Sequence, residues 1–256
     1  TVDTANLPKS FELKQCSEAA RAQRWKAIRS MGIPGYVDVR SAIEKQEKEK
    51  GKPAFLTYDT HWNQDSAVTF VESVVKQLDP TLLQHTQVQA GQFYTEQGDL
   101  AILNQDPKYF PYQAVYIVRD GVTSLQTPEP LLPNDAYTIT HVHSTTKGPA
   151  ALFQPRTTWI GDSFTQRALT APGKITPFFA NLVRVPELTK AVLANNAQNR
   201  FYDTAKARMI EEIVKSKVTV VELVERTFAG VGGAGSMWTP EFLNALQDKL
   251  DHAPKQ

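Results

Sequence analysis

Two short motifs hold residue types suited to nucleophilic catalysis: Tyr58-Asp59-Thr60-His61-Trp62 and Trp159-Ile160-Gly161-Asp162-Ser163-Phe164-Thr165. In an extended backbone, residues two apart project to the same side, roughly 6.6 Å apart at their Cα atoms, so the Asp59 carboxylate can reach round to the His61 ring. A carboxylate on one ring nitrogen fixes the tautomer and leaves the other nitrogen as a general base. The alternative is a histidine bonded to a capping carboxylate in an ordinary loop. In the second motif a strand, a glycine turn and a serine at a helix start would set the Ser163 hydroxyl at the carboxyl end of a sheet, the usual ligand edge of open α/β folds. Unpaired backbone N–H groups there can stabilise an oxyanion, with the Ser163 N–H the first candidate donor. Ser163 as a plain N-cap is the competing reading.

Two further patterns are weaker. Gly230-Val231-Gly232-Gly233-Ala234-Gly235 satisfies G-x-G-x-x-G, but too little chain follows for a second strand with an acidic ribose partner, so it reads as a connection and no cofactor is expected. His141-Val142-His143 can point two rings to one side of a strand, yet no third ligand is evident and no metal is expected.

The elements that must position these residues alternate between strands and helices. Helices are predicted over 17–31, stopped by Gly32 and Pro34, and over 41–50, where Glu44 precedes Lys48 by four residues. The clearest periodicity is Ala67, Phe70, Val71, Val74, Val75 and Leu78 behind a capping Asn63, an amphipathic helix. Helical spacing returns at Ala207, Ile210, Ile213 and Val214, and again around 240–250. Strands are predicted at 36–39, 54–58, 157–160 and 218–224, and short β-rich pieces, 112–119 and 136–142 among them, fill an excursion at about 86–156. Strands alternating with helices imply an α/β fold around a mainly parallel sheet, here in a single domain with a C-terminal helical extension at about 229–256.

The 256 residues contain 28 Lys+Arg against 27 Asp+Glu, a formal charge of +1, and one cysteine. Balanced charge without a basic run offers no footprint for a phosphate backbone, so nucleic acid is dropped as a partner. A lone thiol, Cys16, makes neither an internal disulfide nor a cysteine-based zinc site. No apolar run approaches the ~18 to 20 residues of a membrane span.

Taken in order, Asp59-Thr60-His61-Trp62 and then Gly161-Asp162-Ser163-Phe164 resemble the SGNH-hydrolase-like domain of the alginate O-acetyltransferase family, the AlgX/AlgJ group. The likeness runs over about 35–228 and includes a closing strand at Val220–Phe228 with Glu222, Glu225 and Arg226, whose role is read as structural. Ordinary SGNH enzymes place the Gly-Asp-Ser block first. This family has the permuted order, matched here by a serine 102 residues after the histidine. The 28 residues after Phe228 leave no room for a downstream carbohydrate-binding module, so the single-domain AlgJ-like members are the nearer likeness.

The resemblance implies an SGNH-like three-layer fold, Ser163 as nucleophile, His61 as general base and Asp59 as its orienting carboxylate. Trp62 is the candidate for substrate binding, with packing beneath the histidine as its alternative. The implied activity is acetyl transfer to a hydroxyl of an extracytoplasmic polysaccharide, alginate or a related polymer, in the periplasm. The donor would come from a membrane-bound acyltransferase, and a core strand and a membrane anchor or signal would precede Thr1. An acetylesterase using the same triad is one rival. A non-catalytic glycan-binding subunit of an export complex is another, and it requires the three side chains to lie too far apart to bond in sequence.

Overall fold

A computed structural model of the chain describes residues 12–131, 137–169, 176–186, 199–224 and 238–254. The elements in order are α1 (Glu12–Ser30), α2 (Val39–Lys50), α3 (Gln64–Leu78), β1 (Thr86–Glu96), α4 (Asp99–Leu103), β2 (Phe110–Arg119), β3 (Val122–Pro130), β4 (Thr138–Thr146), β5 (Thr157–Gly161), α5 (Ser163–Leu169), β6 (Asn181–Pro186), α6 (Asn199–Val214), β7 (Val218–Val221) and α7 (Pro240–Asp251).

β5 is the strand around which the molecule is organised. Its residues are all buried, which explains why Thr157-Thr158-Trp159-Ile160 lacks the apolar–polar alternation of a half-exposed strand. Successive side chains instead go to two different cores. Trp159 joins Trp62, Phe70, Phe164, Phe178 and Phe179 on one face, whereas Ile160 joins Ile139, Val183, Val185, Met209 and Ile213 on the other. Helices α3 and α5 and strand β2 supply the first core; α6 and α7 supply the second. This is a three-layer α/β arrangement, as expected.

The sheet differs in detail from the mainly parallel one expected. Its order is β3-β4-β6-β5-β7; β5 pairs in parallel with β6 and β7, but β4 pairs antiparallel with both β3 and β6. The reason lies in the β-rich excursion, whose strands divide between two sheets. β1 and β2 form a separate antiparallel pair, while β3 and β4 pair antiparallel, with Lys147 N donating to Gly121 O at 2.9 Å across their open end, and add to the edge of the main sheet. A hairpin's own two strands pair antiparallel by construction, and β4 also runs opposite to β6.

α3 forms where its periodicity requires. The Asn63 side chain accepts from Ser66 N at 2.9 Å, a cap of the kind worth ~1 kcal/mol, and Ala67, Phe70, Val71, Val74 and Val75 are buried on one face. The strand predicted at 36–39 is instead the entry to α2. Asp38 accepts from the Ser41 N–H and hydroxyl, a capping interaction that starts a helix at Val39. The C-terminal helix is part of the fold, since Trp238 and Phe242 meet edge-on at 5.4 Å inside the second core. The Gly230–Gly235 cluster, Glu225 and Arg226 lie outside the described residues. Among the described residues no helix is long and apolar enough to cross a membrane.

Candidate active site

The first motif sits in a tight loop, not at the exit of a strand. The predicted strand 54–58 reduces to one bridge, Phe55 opposite Trp62, closed by Leu56 N to His61 O at 3.0 Å and Asn63 N to Ala54 O at 2.9 Å. Ala54 and Leu56 are buried, which accounts for the apolar run; core contact needed no extended ladder. At the loop tip Asp59 Oδ1 accepts from the backbone N–H of His61 at 2.7 Å and lies 2.6 Å from His61 Nδ1. This Asx-type turn is a local bond from a carboxylate to the N–H two residues on, and it brings the ring and carboxylate together more tightly than strand spacing would. Because an ionised carboxylate only accepts, Nδ1 carries the proton and Nε2 is left as a base.

Nε2 points at the second motif, where His61 Nε2 and Ser163 Oγ are 2.6 Å apart. β5 ends in Gly161 and α5 begins at Ser163. The capping bond is made by Asp162, whose Oδ1 accepts from Phe164 N at 2.8 Å, so Ser163 is not the N-cap and its hydroxyl is available to the histidine. Ser163 is exposed; Asp59 and His61 are buried. The chain Asp59–His61–Ser163 is thus a continuous set of hydrogen bonds ending on an accessible hydroxyl. Its geometry can deprotonate a serine and hand the proton onward.

The sequence profile described as SGNH hydrolase-like domain, acetyltransferase AlgX, matches residues 3–171, a span that contains both motifs. The chain belongs to this family. Among solved structures, it is similar to a DHHW family protein from Eubacterium siraeum (11% identity, TM-score 0.42, covering 72% of this chain and 63% of that one). It is also similar to the O-acetyltransferase domain of Pseudomonas putida AlgJ (17% identity, TM-score 0.39, covering 83% and 66%). The chain therefore spans just under two thirds of the length of each of these structures. No curated protein matches it.

Around Asp59, His61 and Ser163 lies a layer that the sequence reading missed. Arg167, one helical turn beyond Ser163 on α5, places Nη2 3.5 Å from Asp59 Oδ2 and is held by both oxygens of Glu96, at 2.6 and 3.1 Å. Burial pushes the Asp59 carboxyl up, but hydrogen bonds from the His61 ring and backbone, with the nearby positive charge of Arg167, outweigh it. The net direction is below the ordinary carboxylate value. The i, i+4 spacing of Ser163 and Arg167 was a usable signal; the 71-residue separation of Arg167 from Glu96 was not.

Behind the serine turn, Glu222 accepts from Thr165 Oγ1 at 3.0 Å. Burial, then the charge of Asp162, pushes its carboxyl up to about 8. Arg184 is lowered to about 10 by burial, against the opposing pull of Asp162. Gly161 is the close-packed point of this cluster, because a Cβ there would sit 2.1 Å from Thr165 Oγ1 and 2.9 Å from Glu222 Oε2.

Trp62 does not fit a substrate-facing role. It is 6% exposed, with Phe70 at 4.9 Å and Phe164 edge-on at 5.2 Å. Phe164 also contacts the His61 ring, at 4.8 Å, so Trp62 belongs to the packing that supports the histidine.

Asp59, His61 and Asp99 offer donor atoms within 4.8 Å of one another. Within this group Asp59 Oδ1 is held by His61, and the Asp99 carboxylate accepts from the N–H and hydroxyl of Thr60. His141 bonds Glu129 at 2.8 Å, and the described residues bring no third ligand to His141 and His143.

Proposed function

We propose that the chain is an O-acetyltransferase that moves an acetyl group through an acetyl-serine at Ser163 onto hydroxyls of a periplasmic polysaccharide, alginate or a related exopolysaccharide. The observation that carries this reading is the unbroken Asp59–His61–Ser163 chain, with 2.6 Å at each of its two ring contacts, in a chain of an acetyltransferase family. A purely glycan-binding subunit has no use for such contacts.

In the first half-reaction His61 Nε2 takes the Ser163 proton as Oγ attacks the acetyl carbonyl of an ester donor. The tetrahedral adduct collapses, the C–O bond to the donor alcohol breaks, and that alcohol leaves with the proton from His61. In the second half, a sugar hydroxyl gives its proton to Nε2 and attacks the acetyl-serine; the bond between the acetyl carbon and Oγ breaks and Oγ recovers the proton. Donor ester plus sugar alcohol become donor alcohol plus sugar ester, so no cofactor or metal is required by the balance. The Asp59 carboxylate stabilises the imidazolium in both halves, and the Ser163 backbone N–H is the candidate oxyanion donor.

Intact mass spectrometry after incubation with 4-nitrophenyl acetate tests the reading. The wild-type chain should gain one acetyl group that Ser163→Ala does not gain, and oligosaccharide added afterwards should remove it and carry it. Equal labelling of Ser163→Ala sinks the nucleophile assignment. An adduct that only water removes makes the protein an acetylesterase.

A further inference from the structure

Tyr58 immediately precedes the carboxylate of the triad and has a conformation that stability does not explain. Its φ is +56°, a left-handed backbone that bulky side chains rarely adopt, whereas glycine takes it freely. Its side chain does not compensate by burial, since the residue is 55% exposed. The conformation is nonetheless firmly held. The Tyr58 carbonyl accepts from Leu100 N and Ala101 N at 3.2 Å each, and the Thr57 carbonyl accepts from Tyr112 Oη at 2.8 Å. Even Gly98 is fitted to it: a Cβ at that position would lie 2.1 Å from Tyr58 O. The ring itself lies flat on Phe110, with centroids 4.9 Å apart and planes within 18°. One face is thus backed by an aromatic ring and the other is turned outward, on a loop whose ends are closed by the Leu56 N to His61 O bond.

Backbone strain maintained around an exposed side chain marks a place where the side chain is used. A rigid, flat, outward ring is the surface that the apolar C–H face of a pyranose packs on. Charge points the same way. The Asp99 carboxylate accepts from Thr60, and the guanidinium of Arg167 is already held by Glu96 and Asp59. A uronate or neutral glycan would therefore be gripped here by ring stacking and not by an ion pair. We infer that Tyr58, backed by Phe110, is a stacking platform for one pyranose ring of the acceptor chain, setting a sugar hydroxyl next to His61 and Ser163.

This inference rests on the polysaccharide reading above, and its test is separate from the chemistry. Isothermal titration of an oligomannuronate and of cellohexaose into the Ser163→Ala chain measures glycan binding where no acetyl-serine can form. At least one of the two should bind, with an affinity nearly independent of salt. Tyr58→Ala in the same background should weaken that binding about tenfold, the range of an aromatic stacking contact, and Tyr58→Phe should restore it. Tyr58→Gly relieves the backbone strain, so it should keep or raise the melting temperature while binding as weakly as Tyr58→Ala. Failure of both glycans to bind, or equal affinity with and without the ring, overturns the platform. Loss of acetyl labelling in the wild-type chain would overturn the acetyl-serine and leave these binding results to stand or fall on their own.

Discussion

Among the described residues, two carboxylate–histidine–arginine sets share one layout, a carboxylate between a histidine ring and a guanidinium. In one, Asp59 lies 2.6 Å from His61 Nδ1 with Arg167 at 3.5 Å. In the other, Glu129 on β3 lies 2.8 Å from His141 Nε2 on β4, with Arg208 of α6 at 2.5 Å. In both, the net direction is that the carboxyl is held below its ordinary value, Glu129 chiefly by its bonds to Arg208 and then His141. They differ in environment and in what comes next. The Asp59 and His61 side chains are 1% and 11% exposed, those of Glu129 and His141 43% and 35%. Only the first set passes its hydrogen bonds on to a hydroxyl, among the described residues. A charge pair in solvent is screened and contributes little, while the same pair in a dry site acts at full strength on whatever it touches. The pairing alone is therefore not catalytic; burial and the third partner make it a candidate for chemistry.

The largest effect should come from removing that third partner. Ser163→Ala should lower acetyl transfer by roughly 10⁴-fold or more, as triad deletions do, with the melting temperature nearly unchanged. Next comes the cation that orients the buried set. Arg167→Met frees Asp59 Oδ2 and leaves Glu96 unpaired, and a misplaced base costs on the order of 10²-fold in kcat. Because Arg167 helps hold the Asp59 carboxyl down, its loss should also move the acid limb of the pH–rate profile to higher pH. An unchanged limb would mean that Arg167 serves only packing.

Gly161→Ala tests the turn that presents the serine. The new Cβ would meet Thr165 and Glu222, and overpacking of this kind costs about 1–3 kcal/mol, readable as a lower denaturation midpoint together with lost activity.

Glu222 gives a pH signature. With its folded value raised to about 8, the native state binds more protons than the unfolded chain between the ordinary carboxyl value and about 8. Stability should fall with rising pH across that window and level off above it. Glu222→Gln should flatten this fall in a denaturation series, and an unaltered slope would assign it elsewhere. The smallest effect closes the comparison: Glu129→Gln, on the exposed set, should change stability by less than about 0.5 kcal/mol and leave kcat alone. A large loss there would show that exposure is not the distinguishing variable.

The parts of the molecule legible in sequence are those set by local pattern. α3 followed from its apolar spacing, β5 from an unbroken buried run ending in Gly161, and the Asp59–His61 pair from its spacing, although an Asx turn in a loop replaced the strand that had been expected. Ala54-Phe55-Leu56 misled because core burial and strand pairing leave the same apolar trace in a short segment. The edge position of β3 and β4 was not readable, since which sheet a hairpin joins is decided by distant partners. Glu96 was silent for the same reason. Tyr58 was in plain view within the motif, but its use depends on a backbone angle that no residue pattern displays.

The Asx turn has a consequence for assembly of the site. Asp59 and His61 are two residues apart and meet through a local turn, so the basic half can form as soon as a few neighbouring residues order. The serine contact closes over 102 residues and comes only when β5, α3 and α5 share one core, after the entropy of that long closure has been overcome. A partly folded chain would thus carry an oriented histidine with nothing to activate. On the proposed activity, turnover of a small chromogenic ester would be a clock for the last docking step, silent through every earlier stage of folding and switched on by the arrival of α5.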